Sequence, residues 1–258
     1  MPAATRTTTT ELDRIVAHLC AVEDAVAERT EPLPWGTAVF HTGMPVIRET
    51  NMVRVEARAP GLSADEVAAA VEARFADHHF RSVEVLDAET GAALAPGLEA
   101  AGFSTSRHLV MGLDADPPPT GAPVDEVTPD EVWPLREEWL RGEPSTTDAV
   151  AEAHLRWERE RARVTQARAF CVRDERGRPA SMCLLMVTPH ATEVELVYTT
   201  PAQRRRGLAY ATVARAAAEA DDGCTFLFTD ADGPAQHLYA RLGFHRAGLV
   251  HRFLRARR

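Results

Sequence analysis

Hydrophobic and polar positions change their period repeatedly along this chain, and each change marks an element boundary. The order is clearest from Val124 onward. Val124 to Val127 predicts a short strand, and Thr128 caps a helix with Pro129 in its first turn and Glu131 three residues after the cap. A charged helical stretch spans Thr146 to Gln166. Strands at Ala169–Arg173 and Ser181–Val187 are joined by a hairpin over Glu175–Pro179, and Glu193–Thr199 alternates with period two as the next strand. An Ala-rich helix (Leu208–Ala220), a strand (Cys224–Phe228), a helix (Gly233–Arg241) and a final pair of strands within Phe244–Leu254 complete the run. The pattern is mixed α/β, in the order β-α-α-β-β-β-α-β-α-β-β.

The preceding residues repeat this pattern in outline. Thr10–Arg29 reads as an amphipathic helix and Gly36–His41 as a strand. Met52–Ala57 is a strand, Ala64–Asp77 a helix, Ser82–Leu86 a strand and Arg107–Met111 a closing strand, while Ala101-Gly-Phe103 echoes the later Leu242-Gly-Phe244. Between the two runs stand Pro117, Pro118 and Pro119, which fit neither a helix interior nor a central strand and make a stiff connector. The sequence thus divides into residues 1–113, a Pro-rich linker at 114–123, and residues 124–258.

Composition narrows the function. A net charge of −9 excludes sequence-independent nucleic-acid binding, which needs a basic surface. No apolar stretch is long enough to span a bilayer, and Met1–Glu11 is Thr-rich without a signal core, so a cytoplasmic protein with no membrane partner is expected. Cys20, Cys171, Cys183 and Cys224 lack ligand spacing and read as small buried apolar residues. All 29 basic side chains are arginine, which points to a GC-rich bacterial genome more than to chemistry.

The chemistry concentrates at Thr199–Ala209. A strand ends, Arg204, Arg205 and Arg206 precede Gly207, and a helix begins at once with no acidic residue in its first turns. Unpaired N–H groups at a helix start, at the positive end of its dipole, make an anion cradle. Gly207 is expected to let the backbone approach the ligand closely. The bland alternative is an ordinary strand-to-helix turn with solvated arginines.

A second segment adds to this. Arg204-Arg-Arg-Gly-Leu-Ala209 resembles the Q/R-x-x-G-x-G/A loop of the GNAT superfamily of acyl-CoA-dependent N-acetyltransferases. Ala235, Leu238, Tyr239, Gly243 and Phe244 fall in register with that family's later helix motif. The resemblance covers about Val124 to Arg258. It implies two GNAT-like domains, each a central mixed, mostly antiparallel β-sheet flanked by helices, the first degenerate. Two positions depart from the pattern. Asp232 replaces a usual Asn, and Arg205 stands where a second glycine is common, so its side chain must point away or touch a phosphate.

The resemblance further implies roles. Backbone groups of Val197, Tyr198 and Thr199 would pair with the pantetheine arm of acetyl-CoA. Amides across Arg204, Arg205, Arg206, Gly207, Leu208, Ala209 and Tyr210 would hold the pyrophosphate, with Asp232 nearby. The strand Glu193–Thr199 would splay at a bulge to admit the thioester. A neutral amine must attack, so a base is required. Period two puts Glu193 and Glu195 on one face with Val197 and Thr199, and either carboxylate can serve. Tyr239 is the acid for the departing thiolate, its alternative being a core tyrosine. No metal is required. His237, His78, His79 and His190 read as surface residues and Arg252–Arg258 as a solvated tail.

The first half lacks the cradle. Ser63 and Glu66 form a capping box that occupies the helix start with the protein's own side chains, and Asp65 and Glu66 repel a diphosphate. It reads as a structural partner, with an unrelated α+β domain as the alternative. The expected function is N-acetylation of a primary amine, on a small molecule or peptide, by a monomer or homodimer. The competing expectation is an acyl-CoA-binding sensor without turnover. Acceptor choice would rest on Trp133–Glu160 and the partner half.

Overall fold

The computed structural model describes residues 9–114, 117–119, 121–144, 146–220 and 223–257. Among the described residues, seven α-helices, two short 3-10 turns and eleven strands follow in chain order. The first part holds α1 (Glu11–Val26), β1 (Arg29–Leu33), β2 (Gly36–Phe40), β3 (Met52–Val55), α2 (Ala64–Phe75), β4 (Phe80–Val85), α3 (Ala88–Ala100) and β5 (Ser104–Leu113). The second holds β6 (Asp125–Val127), α4 (Pro129–Gly142), α5 (Asp148–Val164), β7 (Arg168–Arg173), β8 (Pro179–Val187), β9 (Thr192–Thr199), α6 (Leu208–Ala218), β10 (Thr225–Asp230), α7 (Ala235–Arg241) and β11 (Phe244–Ala256). The expected capping boxes form: Glu131 Oε1 accepts from the Thr128 amide at 3.2 Å, and Glu66 Oε2 from the Ser63 amide at 3.1 Å.

All described strands join one sheet, ordered β1-β2-β3-β4-β11-β5-β10-β9-β8-β7-β6. Only β3–β4 and β9–β10 are parallel. The antiparallel β11–β5 pair stands near the middle of the order, with four strands beyond β11 and five beyond β5. Each part's last strand has crossed to the other: β11 pairs with β4, and β5 pairs with β10. The sequence predicts a final pair of strands, but Phe244–Ala256 is a single strand with a register shift between Arg246 and Gly248. The Ala247–Gly248 step makes a bulge instead of a turn, because β5 already lies where a returning strand would go. Arg252 and Arg255 are accordingly not a loose tail. They pair with Glu84 and Glu72, each at 2.6 Å.

Alternation along β11 separates two layers. Leu249 and Phe253 face the helices α2, α3, α6 and α7, whereas Val250 faces α1. Helices α4 and α5 cover the same face as α1, over Met182, Leu184 and Met186 of β8. Helices α1 and α5 pack together and reach across the midline: Arg14 Nε donates to His190 O at 2.9 Å, and Arg156 donates to Gly43 O at 3.3 Å. Three of the cysteines are buried and Cys20 is half-buried, all as free thiols.

Candidate functional site

The sheet opens at one place between its parallel strands. β9 and β10 pair only at Thr192–Thr225 and Glu193–Phe226 and then part. On its other edge β9 stays paired with β8, but the register shifts between Met182 and Leu184. The extra residue is absorbed at Leu196, which adopts φ +54°. Val197, Tyr198 and Thr199 therefore lie on a strand edge with no partner strand on the β10 side among the described residues.

The bulge corrects the period-two reading. Glu193 and Glu195 lie opposite Met186 and Leu184, on the face beneath α4 and α5. Beyond the bulge the parity flips, so Tyr198 joins that face while Val197 turns to the α6 side. Thr199 turns with Val197: its Oγ1 is 2.9 Å from Ser181 Oγ, which accepts from Thr212 of α6 at 3.2 Å. Counting by two cannot register an inserted residue that leaves the chain extended on both sides.

The turn after β9 carries two left-handed residues, Arg205 at φ +65° and Gly207 at φ +77°. Gly207 is the N-cap of α6; no side chain caps this helix, and its first turn holds no acid. A Cβ on Gly207 would meet nothing within 4 Å. Glycine therefore suits this position by its left-handed dihedral angle, and no protein atom fills the space beside its backbone. Arg204, Arg205 and Arg206 are exposed around this opening. Arg204 Nε donates to Thr199 O at 3.2 Å, Arg206 pairs with Gln203, and Tyr198 stacks on Trp139 with ring centroids 4.7 Å apart. Ala209 and Tyr210 follow in the first turn, with the Arg241 guanidinium 5.3 Å from the Tyr210 ring. The corresponding start of α2 is closed by Ser63 and Glu66.

The two glutamates are unequal. Glu193 is sealed at 1 % exposure, whereas the Glu195 side chain keeps 28 %. Arg161 of α5 bridges them, at 3.1 Å to Glu193 and 2.9 Å to Glu195. Burial pushes the Glu195 carboxyl up, but the Arg161 charge and hydrogen bonds from Arg161 and the Leu196 amide outweigh it and hold it below the usual carboxylate range. Tyr239 is buried between α7 and the sheet; burial first, then the Cys183 and Glu195 charges, push its phenol well above the ordinary value. Asp232 is engaged by Arg107 of β5, at 2.9 and 3.1 Å. His237 and His190 are exposed, as expected.

Sequence reading misses Arg161 and His18. His18 comes from α1, is fully buried, and places Nε2 3.5 Å from Glu193 Oε2. Its signal was its place on an apolar stripe with Ile15, Leu19 and Val22. Arg161 gives no such signal, since α5 carries arginines on every side.

Residues 130–244 match the model of the acetyltransferase (GNAT) family, a stretch that runs from α4 through the splayed strands, the α6 turn and α7 to Phe244. This stretch is thus similar to the GNAT family, whose members use acetyl-CoA as co-substrate. No curated protein matches the chain. Among solved structures, a GCN5-related N-acetyltransferase from Kribbella flavida has a TM-score of 0.66 at 20 % identity over 96 % of each chain. A functionally unknown conserved protein from Staphylococcus epidermidis has a TM-score of 0.70 at 12 % identity, over 90 % of this chain and 95 % of that one. At such identities the likeness is one of fold, and it extends across the whole chain.

Proposed function

We propose that the protein transfers an acetyl group from acetyl-CoA to a primary amine of a small molecule or peptide by direct attack. The observation that carries this reading is the end of β9–β10 pairing at Glu193–Phe226, followed directly by an uncapped helix start without acidic residues. Edge groups of Val197, Tyr198 and Thr199 bind the pantetheine arm. Amides from Arg204 to Tyr210 take the diphosphate, aided by the exposed guanidinium groups. Arg107 offsets the Asp232 charge, which removes a repulsion that a free carboxylate would bring to the same anion.

Glu195, the carboxylate with residual exposure, takes the ammonium proton directly or through a water, and Glu193 lies beneath it as support. The amine nitrogen then bonds to the acyl carbon as the carbon–sulfur bond breaks, and Tyr239 gives its proton to the departing sulfur. The second nitrogen proton restores the tyrosine directly or through water, while Glu195 releases the first to solvent. Residues 1–113 act as a structural partner that does not bind acyl-CoA, because the α2 start is self-capped.

One observation favours a second reading, an acyl-CoA-binding module without turnover: Arg161 engages both glutamates, and its charge lowers the basicity of Glu195. Incubation with acetyl-CoA and a panel of primary amines, followed by free-thiol detection, separates the two. Thiol release that depends on an amine supports transfer. Calorimetric binding of CoA without release supports the module, and absence of binding overturns both.

A further inference from the structure

His18 belongs to the first half of the chain, yet its ring ends inside the second half. Its Nδ1 lies 2.9 Å from the Ala191 carbonyl oxygen and 3.0 Å from Thr188 Oγ1. A carbonyl oxygen only accepts, so Nδ1 carries the hydrogen. Nε2 then faces Glu193 Oε2 at 3.5 Å and has no other partner among the described residues. Two acceptors do not stay in buried contact without a proton between them.

The charges around this contact are few. Arg161 presents one guanidinium to two carboxylates, Glu193 and Glu195. Arg136 of α4 and Glu158 of α5 satisfy each other at 2.9 Å and add no net charge. Tyr239 of α7 is neutral, and on the β10 side the His18 ring meets Phe226 in a T-shaped contact with centroids 5.1 Å apart. Among the described cation-forming side chains, Arg161 and His18 are the two that come within 4.0 Å of Glu193.

We infer that His18 is a positioning residue for the acyl-transfer site: by engaging Glu193 it leaves one arm of Arg161 free to hold Glu195 at the mouth of the slot. Its kinetic consequence rests on the acyl-transfer reading; its electrostatic consequence does not. The two halves are then joined at the site itself as well as through the sheet.

The test uses the full chain. In His18→Asn the amide still donates to Ala191 O but offers nothing at the Nε2 position. Arg161 is then drawn to Glu193, and Glu195 loses its partner. The acid limb of kcat/KM for a reactive amine is expected to move up by about one pH unit, a loss of roughly tenfold below that limb, with KM for acetyl-CoA unchanged. The Glu195 side-chain carboxyl, followed by 13C NMR and assigned with Glu195→Gln, is expected to titrate higher by the same amount. Glu193→Gln should act oppositely, freeing Arg161 for Glu195 and lowering its titration. An unchanged Glu195 titration in folded His18→Asn, or a rise in Glu193→Gln, overturns the inference. If the wild type releases no thiol with any amine, the transfer reading fails while the carboxyl titration still decides the role of His18. If His18→Asn does not fold, the wild-type His18 ring followed by 15N NMR decides: a proton on Nε2 at neutral pH supports the inference, and an unprotonated Nε2 overturns it.

Discussion

Burial acts on Tyr239 and Glu195 in the same direction, but a neighbour reverses it at only one of them. Tyr239 has no cation to oppose desolvation, so its phenol keeps its proton across the neutral range and is available as a donor. Tyr239→Phe should lower turnover about 100-fold or more, a usual contribution of general acid–base groups, while calorimetry finds acetyl-CoA affinity little changed. Equal turnover would return Tyr239 to the core. At Glu195 the Arg161 cation wins, so the folded-state carboxyl ionises below its ordinary 4.5. The stability this adds is present above that value and is lost as pH falls through the depressed folded one. Urea unfolding of Glu195→Gln should accordingly depend less on pH than the wild type from about pH 5 down toward pH 3.

The element that carries the site is the turn from β9 into α6, and its two left-handed residues make opposite predictions. Gly207 sits at φ +77° in open space, so Gly207→Ala meets no clash and costs only the left-handed backbone strain, roughly 1–2 kcal/mol. Arg205 already bears that strain at φ +65°, with its side chain exposed. Arg205→Gly should stabilise by roughly 0.5 kcal/mol or more, the relief exceeding the extra chain entropy of glycine. Urea midpoints of the two variants should thus move to opposite sides of the wild type. Gly207→Ala should also weaken CoA binding, because the strained turn no longer presents its amides in one orientation.

Across the whole molecule, β5 and β11 make the two halves interdependent. Residues 1–114 alone would leave β4 and β5 without the strand that lies between them, and residues 121–258 alone would leave β10 and β11 in the same condition. Each fragment would then expose long unpaired edges and half of a hydrophobic layer. Expressed separately, each is expected to lack the dispersed amide spectrum of a folded protein, and mixing is expected to restore it. A folded, monomeric fragment 121–258 would contradict this. Most of the order of elements from Val124 on, the uncapped turn before Leu208 and the self-capped start at Ser63 are legible in the sequence, because each depends on residues near one another along the chain. Short-range propensities and caps determine such features. The bulge at Leu196, the exchange of β5 and β11, and the convergence of His18, Arg161 and Glu193 come only with the tertiary structure. Register and buried charge depend on partners far apart in the chain: His18 and Glu193 meet because α1 is laid across the midline of the sheet, a choice that packing makes and no local pattern encodes.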